Sequence, residues 1–399
     1  MSTRLVIIGN GMAATRLLDE LLARTVQPFT ITVIGEEAAA GYNRIMLSPW
    51  LAGEKSHSEL ITHPRDWYEQ HGITLLSGDP AASIDTVQQC VVTASGKRID
   101  WDQLVIATGS RAAMLPIPGN RLGNVLCFRT LEDARQMQQF ARRGGNAVVI
   151  GGGLLGLEAA YGLNRLGMQV SVVHNGDWLM NRQLDEEAGN KLAESLRQRG
   201  IAVHVATNSD CFVGDSHVEG LKLADGTVLP CSLAVIGIGI TPEISLARAA
   251  GLQCERAIVT DGLMRTSVDN ISALGECCQI RGELFGMVAP IYQQARVLAR
   301  RLCREDTESY QSEVLPTRLK VSGVDVFSAG DLMALEDCRT LVWRDPKLGH
   351  YKRLWLRDGR LVAAVLFGDA SDGGDYFDLI QQGKRIHNPA ALLFGEVAA

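Results

Sequence analysis

The chain has 399 residues, enough for two or three domains rather than one. Its 46% hydrophobic and 21% charged content fits a globular protein with a substantial core, and no apolar run approaches the ~20 residues of a membrane-spanning helix. A formal net charge of −6 without a dense Lys/Arg block argues against a nucleic-acid ligand, and MSTRLVIIGNG runs straight into a glycine turn with no secretory apolar segment, so a cytoplasmic protein is expected.

The first unit, RLVIIGNGMAATRLLDELL (4–22), reads as strand, glycine turn and helix. Gly9 permits the tight turn, Gly11 lets the backbone approach a pyrophosphate, and Ala14 stands where a small residue lets helix and strand pack closely. The helix N-terminus then offers free N–H groups and a positive dipole end to the phosphates. The next strand, FTITVIGEE (29–37), ends in acid, and Glu36, 25 residues beyond Gly11, is near the spacing of a carboxylate that holds ribose hydroxyls. The competing reading is a tight strand–helix turn with no ligand.

The second unit, NAVVIGGGLLGLEAAYGLNRLGMQVSVVHNGD (146–177), repeats the pattern with Gly151, Gly153 and Gly156. Its following strand ends at His174, where an acid would bind the free 2′-hydroxyl of NAD and repel a 2′-phosphate. Histidine does neither strongly, and no arginine follows within three residues. Asp177 opposes a phosphate, so a modest preference for NADH over NADPH is expected. Two such turns fit one dinucleotide held as a flavin and a second that comes and goes as a nicotinamide. The alternative is an internal duplication with one dead site.

LVIATGSRA (104–112) is a buried strand entering a small-residue turn, and CSLAVIGIGITPE (231–243) mirrors it after the second unit. A third such segment (271–302) carries Gly275–Glu276 and then a helix beginning near Pro290. Beyond about residue 312 apolar and polar residues alternate between turn signals, the pattern of a small antiparallel sheet, and YFDLIQQGKRI reads as a short closing helix. Six cations there, Arg344, Lys347, Lys352, Arg353, Arg357 and Arg360, are either solvated strand ends or a docking face for an acidic partner. The nine cysteines form no C-x-x-C pair and no zinc-ligand grouping with histidine, so no metal is expected. Adjacent Cys277 and Cys278 are poorly placed for a disulfide.

These motifs resemble the pyridine nucleotide–disulfide oxidoreductase superfamily, in its branch without a redox disulfide. Ala107–Gly109 and Gly275–Glu276 match its second and third FAD signatures. Within it, GYNRIMLSPWLAGE (41–54), GGGLLGLEAAYGL (151–163), LMNRQLD (179–185), ALGEC (273–277) and TRLKVSGVDVFSAGD (317–331) resemble the flavin-and-nicotinamide part of the large subunit of assimilatory nitrite reductase. They also resemble the separate flavoprotein subunit that feeds electrons to assimilatory nitrate reductase. The chain ends at LLFGEVAA, where cluster and sirohaem segments would follow in nitrite reductase, and this favours the separate subunit.

The resemblance implies an α/β fold of two Rossmann-like dinucleotide-binding domains with a small C-terminal α+β domain. The FAD-binding domain would comprise 1–112 and 245–311, the NAD(P)H-binding domain 113–244, and the C-terminal interface domain 312–399. Gly9, Gly11 and Ala14 would hold the FAD pyrophosphate, with Glu36 on the ribose, Glu37 as its alternate, and Arg44 near the phosphates. Ala81 would face the adenine, Thr108, Gly109 and Gly275 would line the flavin site, and Glu276 would bind the ribityl chain. The helix after Pro290 would point its positive end at the flavin. Gly151, Gly153, Gly156, His174 and Gly239 would form the nicotinamide site.

Relatives with thiol chemistry carry a cysteine just after the R-x-x-x-S segment, and relatives that reduce ferredoxins carry a lysine there, paired with a glutamate. Here Pro49 fills that slot after Arg44 and Ser48, so no catalytic thiol is expected. Glu158 is placed beside the nicotinamide in the first turn of its helix, the competing reading being a helix residue paired with a neighbouring cation. The implied activity is electron transfer from NADH, or NADPH, through FAD to a partner redox protein, an assimilatory nitrate reductase first and a nitrite reductase second. In the superfamily the third domain covers the flavin or forms a dimer contact, so the resemblance allows a homodimer. A rubredoxin or ferredoxin reductase is the enzymic alternative, and a flavin- and NADH-binding sensor or scaffold the non-enzymic one.

Overall fold

Both glycine turns sit at the centre of five-stranded parallel sheets that share the order of four strands and differ in the outer one, which comes last in sequence in the first sheet and first in the second. In the first sheet the strand order is 271–273, 103–106, 3–8, 29–35, 74–77; in the second it is 125–127, 233–236, 146–150, 169–173, 202–204. The structure, a computed structural model, describes residues 2–24, 29–312, 316–321 and 323–394. The last residues of the closing LLFGEVAA stretch and Ser322 of the 317–331 motif lie outside the described residues.

The repetition extends to the excursions. Each sheet's fifth strand leads into a three-stranded antiparallel meander, 81–100 in the first unit and 209–230 in the second, before the chain returns beside the central strand. Central strands Thr3–Ile8 and Asn146–Ile150 read as near-continuous apolar runs because helices cover both faces. Short strands Ser110–Ala112 and Ile240–Pro242 pair antiparallel where the chain crosses between the two units. The first unit's sheet is completed by Ile271–Ala273, contributed from beyond the second unit.

The third region is a five-stranded antiparallel sheet in the order 317–321, 324–329, 360–367, 350–357, 339–345, followed by the helix Gly373–Gln382. It packs on the second unit. One core cluster runs from Leu192 and Leu196 of the helix Glu186–Gln198 to Tyr351, Trp355 and Val365 of this sheet, and takes in Leu47, Trp50 and Leu51. The latter three lie on a short helix, Leu47–Leu51, that presses on the helix Leu154–Arg165. A Cβ at Gly162 would strike the Leu51 side chain, so a glycine permits this approach.

The basic cluster of the third region is largely consumed internally. Arg344 pairs with Glu187 at 2.6 Å, Lys352 is buried against Asp372, Arg353 reaches Asp185 at 3.1 Å, and Arg357 donates to the Ala334 and Glu336 carbonyls. The docking face that the sequence allowed is therefore mostly an internal fastening.

Candidate functional site

A single cleft of about 1620 Å³ runs between the two parallel sheets and is lined by both glycine turns. One small-ligand pocket spans roughly 300–1,000 Å³, so this volume suits two extended ligands better than one.

The glycines separate into two kinds. Gly9 (φ +113°) and Gly151 (φ +123°) are conformational necessities, and a Cβ on them would collide with the carbonyl oxygens of Ala107 and Gly237. Gly156 is a packing necessity, since its Cβ would strike the Gly151 carbonyl, while at the matching position Ala14 is fully buried between helix and sheet. Gly11 and Gly153 are different. Each caps its helix in ordinary extended geometry, at φ −85° and −87°. A Cβ on Gly153 would meet nothing within 4 Å, and one on Gly11 would meet only the Arg44 Nε, at 4.0 Å. Neither backbone strain nor packing calls for glycine there. What remains is a ligand whose atoms occupy that space at the open N–H groups of a helix.

The first turn is surrounded by polar groups with places unfilled. The Asn10 side-chain nitrogen and the Arg129 Nε are buried without a partner among the described residues. Buried polar atoms are seldom left so, and both residues line the cleft. Arg44 pairs with Glu37 and donates to the Arg129 carbonyl at 2.9 Å, which holds its guanidinium near Gly11. Glu37 also accepts from the Tyr42 hydroxyl at 2.8 Å. Glu36 stays largely exposed on the cleft wall, with Arg111 at 3.4 Å. Ala81, Thr108 and Gly109 line the same wall. Glu276 lines it too, paired with Arg129 and accepting from Ser110 at 2.6 Å. Gly275 lies behind this wall with its N–H on Gln294, and Thr108 donates to the Glu243 carbonyl at 2.8 Å.

Two placements differ from the sequence reading. The helix read as beginning near Pro290 spans Val288–Leu302 and is capped at Met287. Pro290 is buried in its first turn, and Gly286, Met287 and Val288 are the residues that line the cleft. Proline is compatible with a first turn, where its missing N–H has no intrahelical role, so it marks the start only to within two residues. Glu158 is the fifth residue of Leu154–Arg165, one residue past the first turn in which the sequence places it. Its partner is no cation: Ser48 donates its hydroxyl to the carboxylate, and burial holds the Glu158 pKa above the usual carboxylate value.

At the second turn, Gly151, Gly153, His174 and Gly239 line the cleft while Gly156 lies beneath them. The His174 ring leans under the turn, and its Nδ1 accepts the Gly152 N–H at 3.2 Å. Burial lowers its pKa, so the ring is neutral and serves as an acceptor. No cysteine lines the cleft among the described residues. Sequence reasoning passed over Arg129, Ser48 and Asn10. Arg129 stands just ahead of the Thr130–Asp133 capping box, which announces a helix but not the direction of the preceding side chain.

The chain matches known proteins along most of its length. Residues 3–297 match the pyridine nucleotide-disulphide oxidoreductase family, and residues 316–384 match the rubredoxin NAD+ reductase C-terminal domain. The chain is 41% identical over 379 residues to a nitrite reductase [NAD(P)H] of Bacillus subtilis, covering 95% of this chain and 47% of that protein. It is 40% identical over 369 residues to the assimilatory nitrate reductase electron transfer subunit of the same organism, covering 92% of this chain and 48% of that protein. The chain thus spans about half the length of these relatives. Among solved structures, NADH:rubredoxin oxidoreductase from Clostridium acetobutylicum superposes with a TM-score of 0.83 at 26% identity, over 99% of this chain and 100% of that one. Putidaredoxin reductase, in its covalent complex with putidaredoxin, gives 0.85 at 26% identity, over 98% and 95%. The chain belongs to the pyridine nucleotide-disulphide oxidoreductase family: it is an oxidoreductase whose cofactors are FAD and NAD(P)H.

Proposed function

We propose that this chain takes electrons from NAD(P)H into bound FAD and delivers them to a partner redox protein of nitrate or nitrite assimilation. The observation that carries the reading is the pair of glycines, Gly11 and Gly153, that neither strain nor packing requires and that face one cleft from opposite sides. The relatives' names supply the destination of the electrons: a nitrate reductase electron transfer subunit and a nitrite reductase match more than nine-tenths of the chain. The nine free cysteines fit a reducing, cytoplasmic setting.

FAD, when bound, accepts electrons from the nicotinamide. The protein's contribution is position and electrostatics. We assign the flavin dinucleotide to residues 1–112 and 245–311, with the first helix N-terminus and Arg44 on its phosphates. Glu36 takes the ribose, because Glu37 is occupied by Arg44 and Tyr42. Glu276, with Ser110 and Arg129, takes the polar chain of the flavin. Residues 113–244 hold the nicotinamide dinucleotide at Gly153, and Glu158 with Ser48 stands between the two halves of the cleft. Residues 312–399 cover the second unit and form the interface region.

The test is direct. Purified protein is expected to carry one FAD per chain, to be bleached by NAD(P)H without oxygen, and to be recoloured on adding the cognate nitrate reductase with nitrate. Protein that takes up no FAD on reconstitution would sink the reading. A second reading, a rubredoxin reductase, is favoured by the C-terminal domain match over 316–384. Faster recolouring by rubredoxin than by nitrate reductase would select it, and a reduced complex that no acceptor recolours would point to a sensor.

A further inference from the structure

Asn10 stands between the two glycines of the first turn. It lines the cleft, and its amide nitrogen is buried without a partner among the described residues. Its amide oxygen is engaged: the Tyr68 hydroxyl donates to it at 2.7 Å. Tyr68 belongs to the helix Arg65–Gln70, is 1% exposed and does not line the cleft. A residue on the cleft wall is thus held from behind by a side chain 58 positions away that lies in neither glycine motif.

The fold makes room for this contact twice. A Cβ on Gly41 would meet the Tyr68 hydroxyl oxygen at 2.8 Å and the Thr15 methyl at 2.7 Å, and a Cβ on Gly35 would press on the Asn10 Cβ at 3.2 Å. Neither glycine has a left-handed backbone angle, so both positions are small for packing and not for conformation. The hydrogen bond also sets the direction of the amide. With its oxygen receiving the Tyr68 proton, Asn10 turns its NH2 away from Tyr68, and that group can only donate.

We propose that Asn10 donates a side-chain hydrogen bond to the diphosphate of FAD, and that Tyr68 is a positioning residue that fixes the direction of its amide. A glycine turn by itself offers a phosphate only backbone N–H groups and a helix dipole. The Asn10 amide adds a side-chain donor beside them. A hydrogen bond from it to a phosphate oxygen is charge-assisted, and it removes the cost of a buried, unpaired N–H group. Because a buried phenol already holds the amide, little rotamer freedom remains to be lost when the ligand arrives. The proposal rests on the assignment of this half of the cleft to FAD.

The experiment uses the FAD-loaded full chain. The dissociation constant is read from the fluorescence of flavin released on dilution, and the phosphorus resonances of bound FAD are read by NMR. Asn10→Ala should weaken FAD by about tenfold or more, the scale of one charge-assisted hydrogen bond. It should shift the diphosphate resonances while the flavin absorption band stays in place. Asn10→Asp should weaken FAD further, because it keeps an acceptor for Tyr68 but sets a negative charge against the phosphates. Tyr68→Phe should weaken FAD by about three- to tenfold in the wild-type background and by nothing more in the Asn10→Ala background, since a residue that acts through Asn10 then has nothing to act on. Equal losses for Tyr68→Phe in both backgrounds would show that Tyr68 is only structural and overturn its role. Unchanged affinity and unmoved phosphorus resonances in Asn10→Ala would overturn the whole proposal. The two Asn10 variants leave the core helix intact, so the donor is tested even if Tyr68→Phe does not fold. A wild type that takes up no FAD would overturn the assignment of the cleft first and this proposal with it.

Discussion

Ser48 donates its hydroxyl to the Glu158 carboxylate across 110 positions of chain. The contact exists because the helix Leu47–Leu51 is seated on the helix Leu154–Arg165 at Gly162. Burial raises the Glu158 pKa above its ordinary 4.5, and the Ser48 hydrogen bond opposes part of that rise.

A pH dependence follows from the pair. A carboxyl whose folded-state pKa is raised binds its proton more tightly when folded, so its contribution to stability is complete below 4.5 and is lost as pH climbs through the folded value. Glu158→Gln removes that titration while keeping an acceptor for Ser48. Thermal melts of the variant and wild type should coincide in acid and separate in the variant's favour toward neutrality. Ser48→Ala should extend the separation to higher pH and enlarge it, since the hydrogen bond that lowers the folded pKa is gone. A melting difference independent of pH would show that Glu158 does not titrate as the geometry requires.

Gly11 and Gly9 should behave as opposites. Gly11→Val places a side chain in space that the protein leaves open, at backbone angles any residue adopts. It should fold with nearly unchanged stability without flavin and fail to take up FAD. Gly9→Val forces a β-branched residue to φ +113° against the Ala107 carbonyl, and should cost about 1–3 kcal/mol or more in the flavin-free protein itself. Denaturation of both apoproteins, followed by FAD titration, separates the two. Equal destabilisation would show that Gly11 is structural.

These residues show how much the sequence could disclose. Both glycine turns, the strands beside them and the antiparallel third region were legible because turn chemistry and hydrophobic period are local properties. The distinction between Gly9 and Gly11 was not, since it depends on what stands opposite each position in space. Ser48 was passed over for Pro49 because a slot counted along the chain does not say which side of a one-turn helix faces Glu158. Arg344 and Arg353 of the third region read as free because their acceptors, Glu187 and Asp185, lie more than 150 residues earlier.

No thiol should be needed for turnover. Among the described residues none of the nine cysteines lines the cleft, and burial pushes Cys231 up to about 12 and also raises Cys127, Cys254, Cys277, Cys278 and Cys303. Raised thiols are poor nucleophiles because the thiolate is the reactive form. Iodoacetamide at neutral pH should leave NADH–ferricyanide activity within about twofold of untreated protein, a change of under 0.5 kcal/mol in the barrier. Inactivation that tracks the loss of one thiol, with FAD still bound, would place a cysteine in the electron path.

Asp185 should matter far more to the third region than Glu187 does. Asp185 stands at the N-cap of Glu186–Gln198, yet its carboxylate makes no capping bond there. It reaches instead across to the C-terminal sheet, accepting from the Tyr351 hydroxyl at 2.5 Å and from Arg353 at 3.1 Å. Tyr351 is almost fully buried, so removing the carboxylate leaves a phenol and a guanidinium facing a gap that water enters poorly. Deleting one member of such a buried charged group costs about 2–4 kcal/mol, because its partners keep their desolvation penalty. The Glu187–Arg344 pair is more exposed and screened by salt, and pairs of that kind contribute little. Asp185→Ala should therefore lower the melting temperature by several degrees and expose a cleavage site between the second unit and the C-terminal sheet in limited proteolysis. Arg344→Ala should melt close to wild type and resist the protease equally. If the two variants lose the same stability, Asp185 is not the fastening of the third region to the second unit.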